Sequence, residues 1–307
     1  MFEVQKAVVT GASGLIGSSL VEYLVSGGAD VVAIDKMPLQ VAGAQVVQVD
    51  LCGGGGISEW LSPQTTIYHL AASANVSASV SDPRHDFNNT LGVLFEILES
   101  ARETGARVVF PSTASVYDPR APLPLDERAP KLPSSPYGAA KLAGEAYCAA
   151  YHRTYGLDVR IARMFSVYGP RMRRLAIHDI IRKLQRDRKH IEILGDGSQI
   201  RDYLHVSDAA RGLALIATRG SPGEDYNLAS GAPVSLMDLA RSIARLMGSA
   251  DASIGTTGHS FPGDTPRWYA SIDKIRAIGF EQSVPLEIGL EETIAGVLAR
   301  PTEHSVG

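Results

Sequence analysis

Residues 6–17, KAVVT running into GASGLIG, decide how this chain folds. Lys6–Thr10 is a short β-rich run of the kind that forms a buried strand. Gly11, Gly14 and Gly17 follow in the strand-turn-helix context of a dinucleotide fingerprint. The first allows a tight turn, the second admits a pyrophosphate, and the third lets helix and strand pack closely. The spacing is G-x-x-G-x-x-G, not the commoner G-x-G-x-x-G, and a triad alone also fits a plain turn. Working outward, Leu15–Val25 is amphipathic and Asp30–Asp35 (DVVAID) is the next strand. Asp35 ends that strand, where a carboxylate can accept both hydroxyls of an adenosine ribose and repels a 2′-phosphate. NAD is therefore expected over NADP, with Lys36 immediately after it as the one opposing signal.

Further strands are expected at Gln45–Val49, Thr66–Leu70, Arg107–Pro111 and Asp158–Ala162, and helices at Asp82–Thr104 and from about Tyr137 to Tyr155. Strands alternating with helices give parallel βαβ units. The expected fold is α/β, a Rossmann doubly wound parallel sheet with a smaller C-terminal substrate-binding lobe. Residues 1–165 would bind the cofactor and 166–307 the substrate, partly interleaved, because Tyr203–Leu215 reads as a helix able to pack back on the sheet. The run Gly53–Gly56 reads as a surface turn.

A chain of 307 residues is long for one compact core, which suits two lobes. A formal net charge of −4 gives no reason to invoke nucleic acid or an anionic membrane. Cys52 and Cys148 stand far apart without metal-ligand spacing. No apolar run approaches the roughly 18 residues of a spanning helix. A soluble, cytoplasmic protein without a metal site is expected.

Tyr137 and Lys141, in SPYGAAK, fall one helical turn apart on one face. An ammonium beside a phenol stabilises the phenolate. To serve as a base at neutral pH a tyrosine must fall by roughly three units from ~10, worth about 4 kcal/mol. A dinucleotide loop and a tunable base in one chain point to hydride chemistry.

Taken with HLAA at His69–Ala72, NNTLG at Asn88–Gly92, STASVYD at Ser112–Asp118, FSVYGPR, GDGSQIRDYLHVSD and PGD, these motifs resemble the extended short-chain dehydrogenase/reductases of the NAD-dependent epimerase/dehydratase family. The resemblance covers nearly the whole length. It implies that Tyr137 is the general acid/base and Lys141 the partner that lowers its pKa and holds the nicotinamide ribose. It makes Thr113 the hydroxyl that binds the substrate oxygen, with Ser112 as the neighbouring candidate and a capped strand end as the plain alternative. NAD would lie along Gly11, Ser13, Gly14, Leu15, Ile16, Gly17, Asp35 and Lys36, then Asp50 and Leu51, Leu70, Ala71 and Ala72, and Asn89. Asp50 fits a helix cap equally well, and His69 fits either the cofactor pocket or the core. Arg201 would grip a nucleotide diphosphate, unless it pairs locally with Asp202 or Asp208; Asp264 belongs to the same substrate-binding pattern.

Departures from the family pattern narrow the chemistry. Members that eliminate water carry Asp-Glu directly after the threonine, where this chain has Ala114 and Ser115. Without that acid and base, elimination lacks a proton shuttle. What remains is reversible oxidation at one carbon, as in UDP-glucose 4-epimerase-like members, inverting C4 through a 4-keto sugar. Ser166 replaces an asparagine that touches the sugar nucleotide, and Phe261 replaces a second diphosphate arginine. Arg171, Arg173, Arg174 or Arg267 would substitute, and the run at 171–174 also suits a substrate carboxylate, as in UDP-glucuronate 4-epimerases, or a solvated loop. The expected substrate is a UDP-sugar. A net keto-sugar reductase and a non-enzymatic NAD-binding scaffold are the competing readings. A homodimer is expected through the helices near 83–104 and 136–155, the second carrying Leu142, Ala146, Ala149 and Ala150.

Overall fold

The computed structural model describes residues 4–54, 56–260 and 265–300. Strand β1 (Lys6–Thr10), helix α1 (Leu15–Ser26), β2 (Asp30–Asp35) and β3 (Gln45–Gln48) open the chain. They are followed by β4 (Thr65–His69), α2 (Val76–Ser81), α3 (Pro83–Phe87), α4 (Val93–Thr104) and β5 (Arg107–Thr113). Next come α5 (Pro136–Tyr155), β6 (Val159–Met164), β7 (Ser166–Tyr168), α6 (Leu175–Arg186), β8 (His190–Ile193) and β9 (Ile200–His205). The chain continues with α7 (Val206–Arg219), β10 (Asp225–Leu228), β11 (Pro233–Ser235), α8 (Leu236–Leu246), β12 (Ser253–Thr256), α9 (Asp273–Ala277) and α10 (Leu286–Leu298).

Seven strands form one sheet in the order β10-β6-β5-β4-β1-β2-β3, parallel at every pairing. The order reverses between β1 and β4, the position where an open α/β sheet binds its ligand beyond the carboxyl ends of the strands. Side chains alternate across the sheet as a strand demands. Ala7, Val9, Val31 and Ala33 join the core on one face with Leu20, Leu213 and Ile216. Val8, Val32 and Ile34 join the core on the other with Leu94, Leu98 and Phe110. A third core, around Ile180, Ile181, Leu239 and Ile243, fills the smaller lobe.

One expectation is corrected. Tyr203 lies in a strand: β9 pairs with β7 in parallel and with β11 antiparallel, and the helix begins only at Val206. Pairing with neighbouring strands overrides local helical propensity there. The helix does pack back against α1 and the sheet, and β10 completes the sheet's edge. The expected helix over Asp82–Thr104 runs unbroken from Pro83 to Thr104, with one π-helical turn inside it. Asp82 caps α3 by accepting from the His85 amide at 3.0 Å, with Pro83 at its first position. A π-helical turn at Asn88–Gly92 then links α3 to α4, a feature that recurs at functional sites.

Candidate active site

The cofactor end is built at the β1–α1 turn. Gly11 holds φ +69, and a Cβ there would lie 2.6 Å from the Leu70 carbonyl carbon. A Cβ on Gly17 would meet the Gly11 oxygen at 2.1 Å. Only glycine permits this approach. Gly14 caps α1 with no side-chain hydrogen bond, and the first helical bond is Ser18 N to Gly14 O at 3.0 Å. The amides of Leu15, Ile16 and Gly17 therefore precede the helical ladder, at the kind of helix terminus that suits an anion, where the helix dipole adds to their pull. Asp35 accepts from the Ser13 amide and the Met37 amide, each at 2.9 Å. Those two bonds fix the carboxylate at the strand end and leave it lone pairs for ribose hydroxyls. Lys36 is exposed. These residues fit a dinucleotide.

Around that end, Leu70, Ala71 and Ala72 are half-buried at the end of β4, and the Ala71 amide donates to Thr10 Oγ1 at 3.2 Å. Asp50 accepts from the Cys52 amide at 3.0 Å and so caps the turn that contains Leu51. Asn89 sits in the π turn with its amide donating to the His85 carbonyl at 2.8 Å and its oxygen accepting from Cys52 Sγ at 3.1 Å. His69 shares a 2.9 Å hydrogen bond with Thr10 and stacks on Phe110. Burial drives its pKa down to about 3, with the Lys141 charge adding to the effect, so the ring is neutral at physiological pH.

The chemical end lies where β5 meets α5. Ser135 caps α5 by accepting from the Gly138 amide at 3.2 Å, and Pro136 fills the first helical position, as both residue types favour. The Tyr137 amide is held by Ser79 Oγ at 3.1 Å. Thr113 accepts from the Ser115 amide at 3.2 Å, and its hydroxyl also favours the Tyr137 phenolate by hydrogen bonding. The capping reading of Thr113 is thus observed, and its hydroxyl lies beside the Tyr137 phenol.

Lys141 departs from expectation. Its ammonium donates to the Pro111 carbonyl at 2.8 Å and sits over the Phe110 ring. Burial lowers its pKa to about 8. Burial raises Tyr137 to about 12, opposed by Thr113 and Arg174 and reinforced by Asp86. The expected depressed phenol is not a property of the protein by itself. Desolvation of the charged form outweighs the stabilising neighbours.

Ser112 is the second departure. Its hydroxyl donates to Glu145 at 2.5 Å, and Glu145 in turn receives two hydrogen bonds from Arg163. Ser112 therefore faces a buried network and not the substrate side. That network was illegible in sequence because its members lie on β5, α5 and β6.

In the second lobe, Ser166 is half-buried at the start of β7. Arg171 pairs with Glu22 on α1, an exposed link between the lobes. Arg174 donates to the Ala74 carbonyl at 2.7 Å and is the arginine of its run that acts on Tyr137. Leu175, next to it, holds φ +73, a strained conformation for a leucine. Arg201 lies 4.7 Å over the Trp268 ring and donates to the Ile200 carbonyl. Its expected local partners are engaged elsewhere: Asp202 accepts from Ser230 and Gly231, and Asp208 from Ser283 and Arg211. Phe261 and Asp264 lie outside the described residues. Among the described residues no cluster suits a metal, and no helix is long and apolar enough to cross a membrane.

A model of the NAD dependent epimerase/dehydratase family matches residues 7–229. The chain belongs to that family. It is 31% identical to UDP-glucose 4-epimerase of Mycolicibacterium smegmatis, over 94% of this chain and 97% of that one. It is 29% identical to a probable dTDP-glucose 4,6-dehydratase of Sinorhizobium fredii, over 94% of this chain and 91% of that one. UDP-glucose 4-epimerase of Thermus thermophilus, solved in complex with NAD, superposes with TM-score 0.86 at 27% identity, covering 96% of this chain and 99% of that one. The family is NAD dependent, and the β1–α1 turn and Asp35 fit that cofactor.

Proposed function

We propose that the protein is an NAD-dependent UDP-sugar 4-epimerase acting on UDP-glucose and UDP-galactose. The observation that carries this reading is the pair after Thr113. Ala114 is buried and Ser115 carries only a hydroxyl, so the acid and base of an elimination are missing from those positions. The remaining groups suit proton transfer at a single carbon.

NAD, when bound, supplies the hydride acceptor and donor at C4. Tyr137 takes the proton of the sugar's 4-hydroxyl and later returns it. Thr113 orients that oxygen, and Lys141 supplies positive charge to the developing phenolate. Arg201, stacked on Trp268, holds the nucleotide diphosphate, which tethers the 4-keto sugar while it presents its other face. Asp35 and the amides of Leu15, Ile16 and Gly17 anchor the adenosine and pyrophosphate.

UDP-glucuronate is the second reading, favoured by Arg174. A guanidinium that acts on Tyr137 is suited to a sugar carboxylate. We further propose a homodimer through α4 and α5. Phe95 and Tyr147 are exposed there and stack edge to face with centroids 6.2 Å apart. Of the expected contact residues, Leu142 packs into the core, whereas Ala146 and Ala150 are exposed. A concentration-independent monomer in light scattering would oppose the dimer.

The test is to incubate the purified protein, without added cofactor, with UDP-glucose, UDP-N-acetylglucosamine and UDP-glucuronate in turn, following C4 configuration by proton NMR. A galacto-configured product without net NADH supports the epimerase and names its sugar. A 4-keto-6-deoxy product, from these or from dTDP-glucose, would overturn it. Tyr137→Phe should lower kcat by about a thousandfold, within the usual range for removing a general acid/base.

A further inference from the structure

One buried ionisable group has no place in this mechanism. Asp86, in α3, is 1% exposed. Neither of its carboxylate oxygens has a partner at good hydrogen-bond geometry in the described structure. A carboxylate so far from water is unfavourable unless an opposite charge compensates it. Burial pushes its pKa up, and three groups oppose that rise. Ser73, in the loop after β4, approaches it as a donor, and His85 acts from its own helix. Helix α3 packs against α5, and from α5 the charge that acts on Asp86 is Lys141.

Lys141 has the matching difficulty. It is 4% exposed, and its ammonium is hydrogen-bonded to a neutral carbonyl. Asp86, Cys148 and Glu145 are the acidic groups that favour its charge. Burial pushes the Cys148 thiol up, so it stays protonated. Glu145 is committed to Ser112 and to two hydrogen bonds from Arg163. Asp86 is what remains.

We propose that Asp86 is the counter-charge of Lys141, a positioning residue that keeps the buried ammonium cationic beside the catalytic tyrosine. The proposal rests on reading Tyr137 and Lys141 as the acid–base pair. Tyr137 feels the same carboxylate with the opposite sign: Asp86 opposes its phenolate, while Thr113 and Arg174 favour it. Asp86 is therefore coupled to both groups. Asp86 gives the lysine a charge that burial would otherwise remove, and it restrains the tyrosine from ionising before a substrate is bound.

The experiment follows the Lys141 Nζ resonance of ¹⁵N-lysine-labelled protein against pH, assigned by its loss in Lys141→Met. In Asp86→Asn the midpoint should fall by about one unit or more, as expected when a close opposite charge is removed. Asp86→Glu should restore it. An unchanged midpoint in a folded Asp86→Asn variant overturns the proposal. If that variant does not fold, the carboxyl carbon of Asp86 is followed in otherwise unaltered protein, assigned by its disappearance in Asp86→Glu. It should show a step at the Lys141 midpoint that vanishes in Lys141→Met, and a curve without that step also overturns the proposal. Neither readout uses turnover, so failure of the catalytic assignment would show separately, as activity retained in Tyr137→Phe.

Discussion

Lys141 donates its ammonium proton to the carbonyl of Pro111 at 2.8 Å, two residues before Thr113 on the same strand. The cation expected to tune Tyr137 is thus anchored to the strand end. In the free protein Tyr137 is held at about 12 by burial. The phenol should therefore stay protonated across physiological pH until the site is filled. Ultraviolet titration of the protein minus that of Tyr137→Phe should place the phenolate midpoint near 12 without ligand, and lower when NAD and UDP are present.

Burial of Lys141 also has a thermodynamic signature. Its folded pKa, about 8, lies below the ordinary 10.5 of an unfolded lysine. Between those values the unfolded chain binds more protons than the folded one, so stability must rise with pH there. Below that window both states are charged and the penalty is constant; above it both are neutral and the penalty is gone. Relative to Lys141→Met, the protein should gain thermal stability as pH rises from about 8 to about 10.5. A difference in Tm that is flat across this range would mean that the lysine is solvated.

Gly17→Ala places a methyl group 2.1 Å from the Gly11 oxygen. The contact is with backbone and cannot be relieved by a side-chain rotation. The β1–α1 turn must open, displacing the amides of Leu15, Ile16 and Gly17. NAD affinity should fall at least about tenfold, equivalent to roughly 1.4 kcal/mol. Calorimetric titration of the stripped protein with NAD measures it, and retained affinity would show that the turn yields.

Glu145→Gln leaves the buried Arg163 guanidinium without its full counter-charge. Arg163 is also paired with Asp225 on β10, so part of its charge stays compensated. Breaking a buried pair costs about 3–5 kcal/mol, and the second partner should keep the loss near the lower end. Urea unfolding should register it as a lower midpoint with an unchanged slope.

The parts of the site that can be read from sequence are those whose chemistry is local. Glycines at fixed offsets, an acid at a strand end, and a tyrosine one turn from a lysine each act within a single strand, turn or helix. What escaped depends on residues brought together from afar. Ser112 looks like a substrate hydroxyl until Glu145, from α5, accepts its hydrogen bond. Tyr203 looks helical until β7 and β11 pair with its strand. Asp86 lies in an ordinary polar stretch of sequence, and the packing of α3 against its neighbours, α5 among them, buries it. The direction of the Lys141 ammonium likewise depends on β5 lying beneath α5.

The return of β10 to the sheet bears on how the molecule is made. Its neighbour β6 is buried along its whole length in the finished protein. During synthesis that strand emerges more than sixty residues before β10, at Asp225–Leu228, can cover it. Until then the nascent sheet presents an unpaired edge, the situation that invites pairing with other chains. A ribosome that pauses between these segments would hold an aggregation-prone intermediate, and truncation near residue 165 would make that exposure permanent.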